Sequence, residues 1–176
     1  MIRPVTLIAA LALFATPAAA SLPVGAKAPN FTTRGAIGGK VFRLNLAEQL
    51  RKGPVVLYFF PKVFTKGCTV EANAFAEATA DFRRAGATVI GMSADGIEDL
   101  AKFSVQECRS KFAVASAGPR IIAGYDVALT QAPGMTDRTS YVIAPNGRIA
   151  FVHSDMAPLD HVKLTLAQVR QMTGKS

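Results

Sequence analysis

The sequence of 176 residues contains no tryptophan and only two cysteines, Cys68 and Cys108. It has no C-x-x-C or C-x-x-x-C pair, which argues against a disulfide reductase or a copper-delivery protein, because both classes need two neighbouring sulfurs. It also has no G-x-S-x-G segment and no glycine-rich phosphate loop. We therefore expect neither a serine hydrolase of the G-x-S-x-G type nor a nucleotide-binding protein.

Histidine is equally scarce, since only His153 and His161 are present. No cysteine or carboxylate stands at metal-ligand spacing beside either residue. We therefore expect surface histidines, no metal site and no cofactor.

Acidic residues are few, with 12 Asp and Glu against 20 Lys and Arg and a formal net charge of +8. A basic excess attracts nucleic acid or anionic membranes when it is concentrated in one patch. Here the basic residues are scattered along the chain. We therefore predict a solvated positive surface, with neither nucleic acid nor a membrane as a partner.

Long apolar runs are confined to residues 1–20, where Arg3 precedes an apolar stretch and three alanines precede Ser21. This pattern predicts a secretory signal peptide, because the apolar stretch is shorter than the roughly 20 residues that span a bilayer. An uncleaved membrane anchor is the alternative. We expect residues 21–176 to form one domain, exported and periplasmic, where a disulfide between the two cysteines is chemically permitted.

The remaining sequence predicts alternating strands and helices. Continuous apolar runs between turn residues indicate buried strands, and apolar residues at helical spacing indicate helices. The predicted strands are 55–60, 87–93, 112–115, 139–144 and 148–153, and the predicted helices are 69–84, 95–108 and 159–172. Residues 21–40 are predicted to be an extended lead-in, and a short strand and helical turn are expected within 42–50. This order gives an α/β fold of the thioredoxin-like type, with a central mixed β-sheet flanked by helices.

Cys68 stands where the first buried strand has ended and a helix begins. The first turn of a helix presents free N–H groups and the positive end of the helix dipole, which favour a negatively charged sulfur. Because the thiolate is the nucleophilic form, this position suits reactive sulfur. Thr65 is placed to direct its hydroxyl at the sulfur. Pro61 restricts the conformation of the loop between the strand and the helix. A small buried cysteine without chemistry remains the alternative on these grounds.

The spacing Pro61-x-x-x-Thr65-x-x-Cys68 is similar to the P-x-x-x-T-x-x-C signature of peroxiredoxins. The surrounding residues 58–75 resemble the bacterioferritin-comigratory, or peroxiredoxin Q, branch of the AhpC/TSA type. The similarity extends over nearly all of the predicted mature chain, from residues 25–31 to residues 138–149.

The resemblance implies a thiol-dependent peroxidase that reduces hydrogen peroxide and organic hydroperoxides. Cys68 would be the peroxidatic cysteine that becomes a sulfenic acid, with Pro61 and Thr65 shaping its loop. Arg138 would stabilise the thiolate and polarise the O–O bond. Glu71 would orient Arg138, or would serve only as a first-turn carboxylate. The electrons would come from a thioredoxin-like protein or a small thiol, and a monomer is expected.

Three loop residues depart from the branch. Lys66 replaces a common proline, and Val63 and Phe64 replace acidic residues. These changes make the loop more basic and more apolar, which favours larger or more hydrophobic peroxides.

The route by which the sulfenic acid is resolved stays open at this point. Asn73 occupies the position where many members of the branch carry a resolving cysteine, five residues after the first. Cys108 is the other thiol, and other members of the branch carry a resolving cysteine in or near this helix. A disulfide needs Cα atoms closer than about 7 Å, so local unwinding is required if the two cysteines start apart. The alternatives are a one-cysteine peroxidase that uses an external thiol, and a non-catalytic binding module on the same fold.

Overall fold

Seven strands form one mixed sheet in the computed structural model, which describes residues 21–175. The predicted signal peptide, residues 1–20, lies outside the described residues. The spatial order is β2-β1-β5-β4-β3-β6-β7. The strands are β1 (Thr32–Ile37), β2 (Lys40–Asn45), β3 (Val55–Phe59), β4 (Thr88–Ser93), β5 (Ala113–Ser116), β6 (Thr139–Ile143) and β7 (Ile149–Ser154). The helices are α1 (Leu46–Leu50), α2 (Lys66–Arg84), α3 (Ile97–Gln106), α4 (Pro119–Tyr125) and α5 (Leu159–Thr173).

Strand β3 lies inside the sheet, parallel to β4 and antiparallel to β6. All five of its residues are buried. This agrees with its sequence, because a strand covered on both faces needs apolar side chains in both directions. Its carboxyl end leads directly into the loop before Cys68.

Helices cover both faces of the sheet. One apolar cluster joins α2, α3 and α5 to the sheet, and it includes Phe75, Phe103 and Val169. A second cluster on the opposite face contains side chains from α1, α4 and residues 22–31. The predicted α/β fold, with a mixed sheet flanked by helices, is therefore confirmed.

Two elements were not predicted. Strand β1 pairs with β2 in a hairpin whose turn is Gly38 and Gly39, both at positive φ. A Gly-Gly turn between two strands is a hairpin signal, but β1 lacks the apolar alternation that marks most strands. Helix α4 lies in the region predicted to be loops, and Pro119 occupies its first turn, where proline is well tolerated.

Among residues 21–175, no helix combines the length and the apolar character needed to cross a bilayer.

Candidate active site

Cys68 lies in the first turn of α2, directly after the loop that follows β3. The helix begins after Thr65, whose backbone is extended (φ −81°, ψ 150°). Apart from a 2% exposed fraction, the Cys68 side chain is buried. The predicted placement of this cysteine at a helix N-terminus is what the structure shows.

Two side chains hold the loop between β3 and α2. The Thr136 hydroxyl donates to the carbonyl oxygen of Phe60 (2.7 Å), and Asp95 accepts a hydrogen bond from the backbone N–H of Val63 (2.9 Å). Asp95 also accepts from the Ser93 hydroxyl at the end of β4. Neither Thr136 nor Asp95 was predicted, because each is distant from the loop in sequence.

Thr65 and Pro61 bound this loop, as expected, but the predicted hydroxyl–sulfur contact is absent. The Thr65 hydroxyl donates to the carbonyl oxygen of Lys62 (3.0 Å). Within the described residues, it forms no hydrogen bond with Cys68. The expected contact is therefore wrong in this structure, while a catalytic role for Thr65 stays a prediction.

Arg138, the residue immediately before β6, reaches the sulfur of Cys68. Its Nη2 lies 3.5 Å from Cys68 Sγ, its Nε donates to the carbonyl oxygen of Met156 (3.0 Å), and its Nη1 donates to Glu71 Oε2. Gly67 permits this approach, since a Cβ at that position would lie 3.1 Å from Nη2. The guanidinium is only 4% exposed and is held by three contacts in one orientation.

Glu71 lies one turn after Cys68 on α2 and is fully buried. Burial raises the pKa of Glu71, and the positive charge of Arg138 opposes that rise. Its Oε2 is bound to Arg138, whereas its buried Oε1 has no hydrogen-bond partner among the described residues. Of the two readings of Glu71, the geometry matches the one in which it orients Arg138.

His161 was expected at the surface, and this prediction is wrong. The residue lies in the first turn of α5 with no exposed area, and its ring is 4.6 Å from that of the half-buried His153. Its Nδ1 is 2.8 Å from Ser140 Oγ and 4.0 Å from Glu71 Oε1. The sequence carried no local signal for this, because α5, β6 and α2 meet only in the folded chain.

Cys108 follows α3 and is fully buried. Burial, with a smaller effect of the adjacent Glu107, raises the pKa of the Cys108 thiol well above its ordinary value. Both cysteines are free thiols and belong to the same apolar cluster. Cys108 is therefore an inert thiol as long as this segment stays folded.

Three polar contacts from α2 hold the segment around Cys108, and we call them the α2 clamp. Asn73 donates to Glu107 (3.0 Å), Glu77 pairs with Arg109 (3.3 Å), and Arg83 donates to the carbonyl oxygen of Lys111 (2.7 Å). Between these contacts, Arg109 and Ser110 have φ values of 49° and 56°, which costs energy for residues with a side chain. The clamp therefore holds a strained segment in place.

Between residues 21 and 175, no group of three or more His, Cys, Asp or Glu side chains is arranged to hold a metal ion. The chemistry that the site offers is that of a sulfur beside a fixed guanidinium.

Comparison with known proteins gives one family and several similar structures. The model of the AhpC/TSA family matches residues 24–152. A relative from Oryza sativa subsp. japonica, named peroxiredoxin Q, chloroplastic, is 30% identical over 143 residues, which cover 81% of this chain and 64% of the relative. This chain therefore spans less than two thirds of that relative's length.

Two solved structures share the fold. The crystal structure of peroxidoxin BcpB from Mycobacterium tuberculosis has a TM-score of 0.75 and 27% identity, and the match covers 85% of this chain and 97% of that one. The reduced 2-Cys peroxiredoxin of Plasmodium vivax has the same TM-score at 22% identity, with 86% and 96% covered. The second likeness shows the fold alone.

Proposed function

The chain belongs to the AhpC/TSA family of peroxiredoxins, and from this premise we propose that it is a thiol peroxidase that reduces hydrogen peroxide and organic hydroperoxides through Cys68. The observation that carries the proposal is the 3.5 Å contact between Cys68 Sγ and Arg138 Nη2 at the first turn of α2. A helix N-terminus and a guanidinium both favour a negatively charged sulfur. Both features support Cys68 as the nucleophile.

In the first step, the Cys68 thiolate attacks the terminal oxygen of the peroxide. An S–O bond forms as the O–O bond breaks, so that the sulfur becomes a sulfenic acid and the peroxide is reduced. The leaving alkoxide, or hydroxide, takes a proton and departs as alcohol or water. Arg138 supplies fixed positive charge where negative charge develops on the oxygens, and its contacts with Glu71 and Met156 hold it there.

In the second step, we assign Cys108 as the resolving cysteine. Its thiolate attacks the sulfenic sulfur, an S–S bond forms, and hydroxide leaves and is protonated to water. Because Cys108 is buried and its segment is held by the α2 clamp, this step requires that the clamp opens. A thioredoxin-like protein or a small thiol then supplies the two electrons that reduce the disulfide.

A one-cysteine mechanism is the competing proposal, and the complete burial of Cys108 favours it. In that case an external thiol attacks the sulfenic acid directly. Overoxidation of Cys68 to sulfinic acid is then the main hazard when thiol is scarce.

The deciding experiment is mass spectrometry of the protein after one equivalent of hydrogen peroxide. Wild type is compared with Cys68→Ser and Cys108→Ser, each with and without a thiol-alkylating reagent added after the peroxide. We expect wild type to form an internal disulfide, Cys108→Ser to stop at sulfenic acid on Cys68, and Cys68→Ser to remain unoxidised. If wild type and Cys108→Ser both stop at sulfenic acid, the one-cysteine mechanism is correct. An unmodified Cys68 that alkylating reagents reach would contradict peroxidase function and favour a binding role.

Export and the monomeric state also belong to the proposal. The mass of protein recovered from the cell envelope fraction tests cleavage after Ala20, and sedimentation at several concentrations tests the monomer. Recovery of the full-length mass from the cytoplasm would contradict export.

A further inference from the structure

Beside the active-site arginine, one helical turn after Cys68 on α2, lies a buried carboxyl group with one oxygen that forms no hydrogen bond among the described residues. Glu71 Oε2 accepts a hydrogen bond from Arg138, and Oε1 is buried without a hydrogen-bond partner among the described residues. A buried polar atom without a hydrogen-bond partner is energetically unfavourable. Such an atom next to a catalytic arginine therefore calls for a physical reason.

The group beside Oε1 is the imidazole of His161, with Nδ1 at 4.0 Å. His161 Nε2 lies 2.8 Å from the carbonyl oxygen of Asp155. Because a carbonyl oxygen only accepts, Nε2 carries a proton. Nδ1 lies 2.8 Å from Ser140 Oγ. In the neutral ring, Nδ1 therefore accepts a hydrogen bond from the Ser140 hydroxyl and carries no proton with which to donate one to Glu71.

The surroundings keep the ring neutral. Burial lowers the pKa of His161 to about 4, and the neighbouring charges of His153 and Arg138 act in the same direction. Asp155, in the loop between β7 and α5, opposes them through its backbone carbonyl and its charge. Glu71 is the group that faces the ring from α2. On the ring's own helix, the flanking Asp160 and Lys163 are exposed.

We propose that His161 is a positioning residue for Arg138. With one ring nitrogen bound to the Asp155 carbonyl and the other to the Ser140 hydroxyl, the ring offers Glu71 no donor. Glu71 is thereby left with Arg138 as its partner and holds the guanidinium against Cys68. The effect of this inference on catalysis rests on the proposed peroxidase function, whereas the ring's protonation state does not.

The first test is the tautomer and titration of His161 in the wild-type protein, measured by long-range ¹H–¹⁵N NMR. We expect the form protonated on Nε2, with no titration between pH 5 and pH 8. A ring protonated on Nδ1, or one that titrates in this range, would overturn the inference. This measurement needs no enzyme activity, so it stands apart from a failure of the proposed function, which would appear as a wild-type protein without peroxidase turnover.

The second test is Ser140→Ala. Without the serine hydroxyl, Nδ1 of His161 can be protonated and donate a hydrogen bond to Glu71. We expect the His161 titration to move upward by more than one pH unit. The variant's kcat/KM for hydrogen peroxide, divided by the wild-type value at the same pH, should then fall severalfold as the pH is lowered from 8 to 5. Protonated His161 would draw Glu71 away from Arg138, which explains this direction.

Two further variants separate positioning from a merely structural role. Adding His161→Gln to Ser140→Ala keeps a donor for Asp155 but removes the titrating ring, and should abolish the pH dependence of the ratio. Ser104→Ala, which alters a buried serine in α3, is the matched control and should leave the ratio flat. A flat ratio for Ser140→Ala itself would show that the hydroxyl only fills space. If that variant does not fold, the wild-type tautomer still decides.

Discussion

Arg138 Nη2 lies 3.5 Å from the sulfur of Cys68, although 70 positions separate the two residues in the chain. The contact joins the residue before β6 to the first turn of α2. Both side chains are more than nine-tenths buried, so water screens their interaction only weakly. The reactivity of Cys68 is therefore expected to depend on the chemistry and the position of this guanidinium.

Replacing Arg138 with lysine should lower kcat/KM for hydrogen peroxide by about 10²–10³-fold, the loss that follows removal of one fixed donor to transition-state charge. Lysine keeps the charge but lacks the planar fork that contacts Glu71, Met156 and Cys68 together. Stopped-flow kinetics measures the effect. Arg43→Lys, at an exposed arginine paired with Glu48, is the control and should retain wild-type rates. A similar small loss in both variants would contradict the assigned role.

Gly67→Ala should reduce activity without reducing stability. The new Cβ would lie 3.1 Å from Arg138 Nη2, so the guanidinium must shift by a few tenths of an ångström. We expect kcat/KM to fall by roughly tenfold, less than the 10²-fold loss that a displacement of about 1 Å can cause. Alanine also favours a helix over glycine by about 0.5–1 kcal/mol, so the free energy of unfolding should not decrease.

The matched control for Gly67→Ala is Gly124→Ala in α4, where the new Cβ meets only ordinary contacts at 3.6 Å with Pro29. It should leave kcat/KM unchanged. If both glycine variants keep full activity, close approach of Arg138 to the helix does not limit the reaction.

Glu71→Gln should change how stability depends on pH. Burial raises the pKa of Glu71 above its ordinary value of 4.5, so the folded protein binds this proton more tightly than the unfolded chain does. This contribution favours folding at low pH and is lost as the pH rises above about 4.5. Glu71→Gln lacks this contribution. The free energy of unfolding of the variant minus that of wild type should therefore increase as the pH increases.

Urea unfolding of both proteins between pH 5 and pH 8 measures this difference, whose slope is at most about 1.4 kcal/mol per pH unit. His161, with its lowered pKa, contributes the opposite slope, but it does so in both proteins. Parallel curves for wild type and Glu71→Gln would mean that Glu71 titrates alike in the folded and unfolded chains.

The sequence predicted the parts of the site that depend on neighbouring residues. The apolar run of β3 and the helical spacing after Cys68 placed the cysteine at a strand-to-helix junction, and this placement is observed. Arg138 came from the family resemblance, because no local pattern shows that the chain before β6 reaches α2. The roles of these residues in catalysis remain predictions.

The sequence could not predict which polar side chains contact the site from other elements. These residues are Asp95, Thr136, Ser140 and His161. Each acts on a residue of another element, and polar side chains at the ends of strands and helices look like ordinary solvent-facing residues in a one-dimensional pattern. The missed strand β1 has a similar cause. Its pairing with β5 and β2 supplies order that its Thr-Thr-Arg-Gly sequence does not predict.

With Cys108 as the proposed resolving cysteine, Asn73→Ala should accelerate formation of the Cys68–Cys108 disulfide. The substitution removes one contact of the α2 clamp, the 3.0 Å hydrogen bond to Glu107. A hydrogen bond contributes about 1 kcal/mol, so opening of the segment should become about fivefold more favourable, and the first-order rate of disulfide formation should rise to a similar extent. Quenched-flow alkylation followed by mass spectrometry measures this rate.

Lys102→Ala is the control for Asn73→Ala, because Lys102 pairs with Asp99 on the exposed face of α3 and does not touch the clamp. It should leave the rate unchanged. Faster resolution should also protect Asn73→Ala from overoxidation at high peroxide. An unchanged rate in Asn73→Ala would show that the clamp does not limit access to Cys108.

Phe64→Ala tests whether the apolar loop selects hydrophobic peroxides. Phe64 is 44% exposed, its backbone has a φ of 59°, and its ring lies 5.3 Å from that of Phe103. An exposed aromatic ring on the loop that leads to Cys68 can contact the organic part of a hydroperoxide, a contact worth about 1 kcal/mol. We expect kcat/KM for cumene hydroperoxide to fall about fivefold relative to the value for hydrogen peroxide, which has no apolar part.

Phe64→Gly separates this contact from the strain of the loop, because glycine adopts positive φ without cost. It should unfold at a higher urea concentration than Phe64→Ala but show the same loss of selectivity. Val105→Ala, at another exposed apolar side chain, should preserve the ratio of the two substrates. If Phe64→Ala slows both substrates equally, then the ring supports the loop that carries Cys68 and does not select the peroxide.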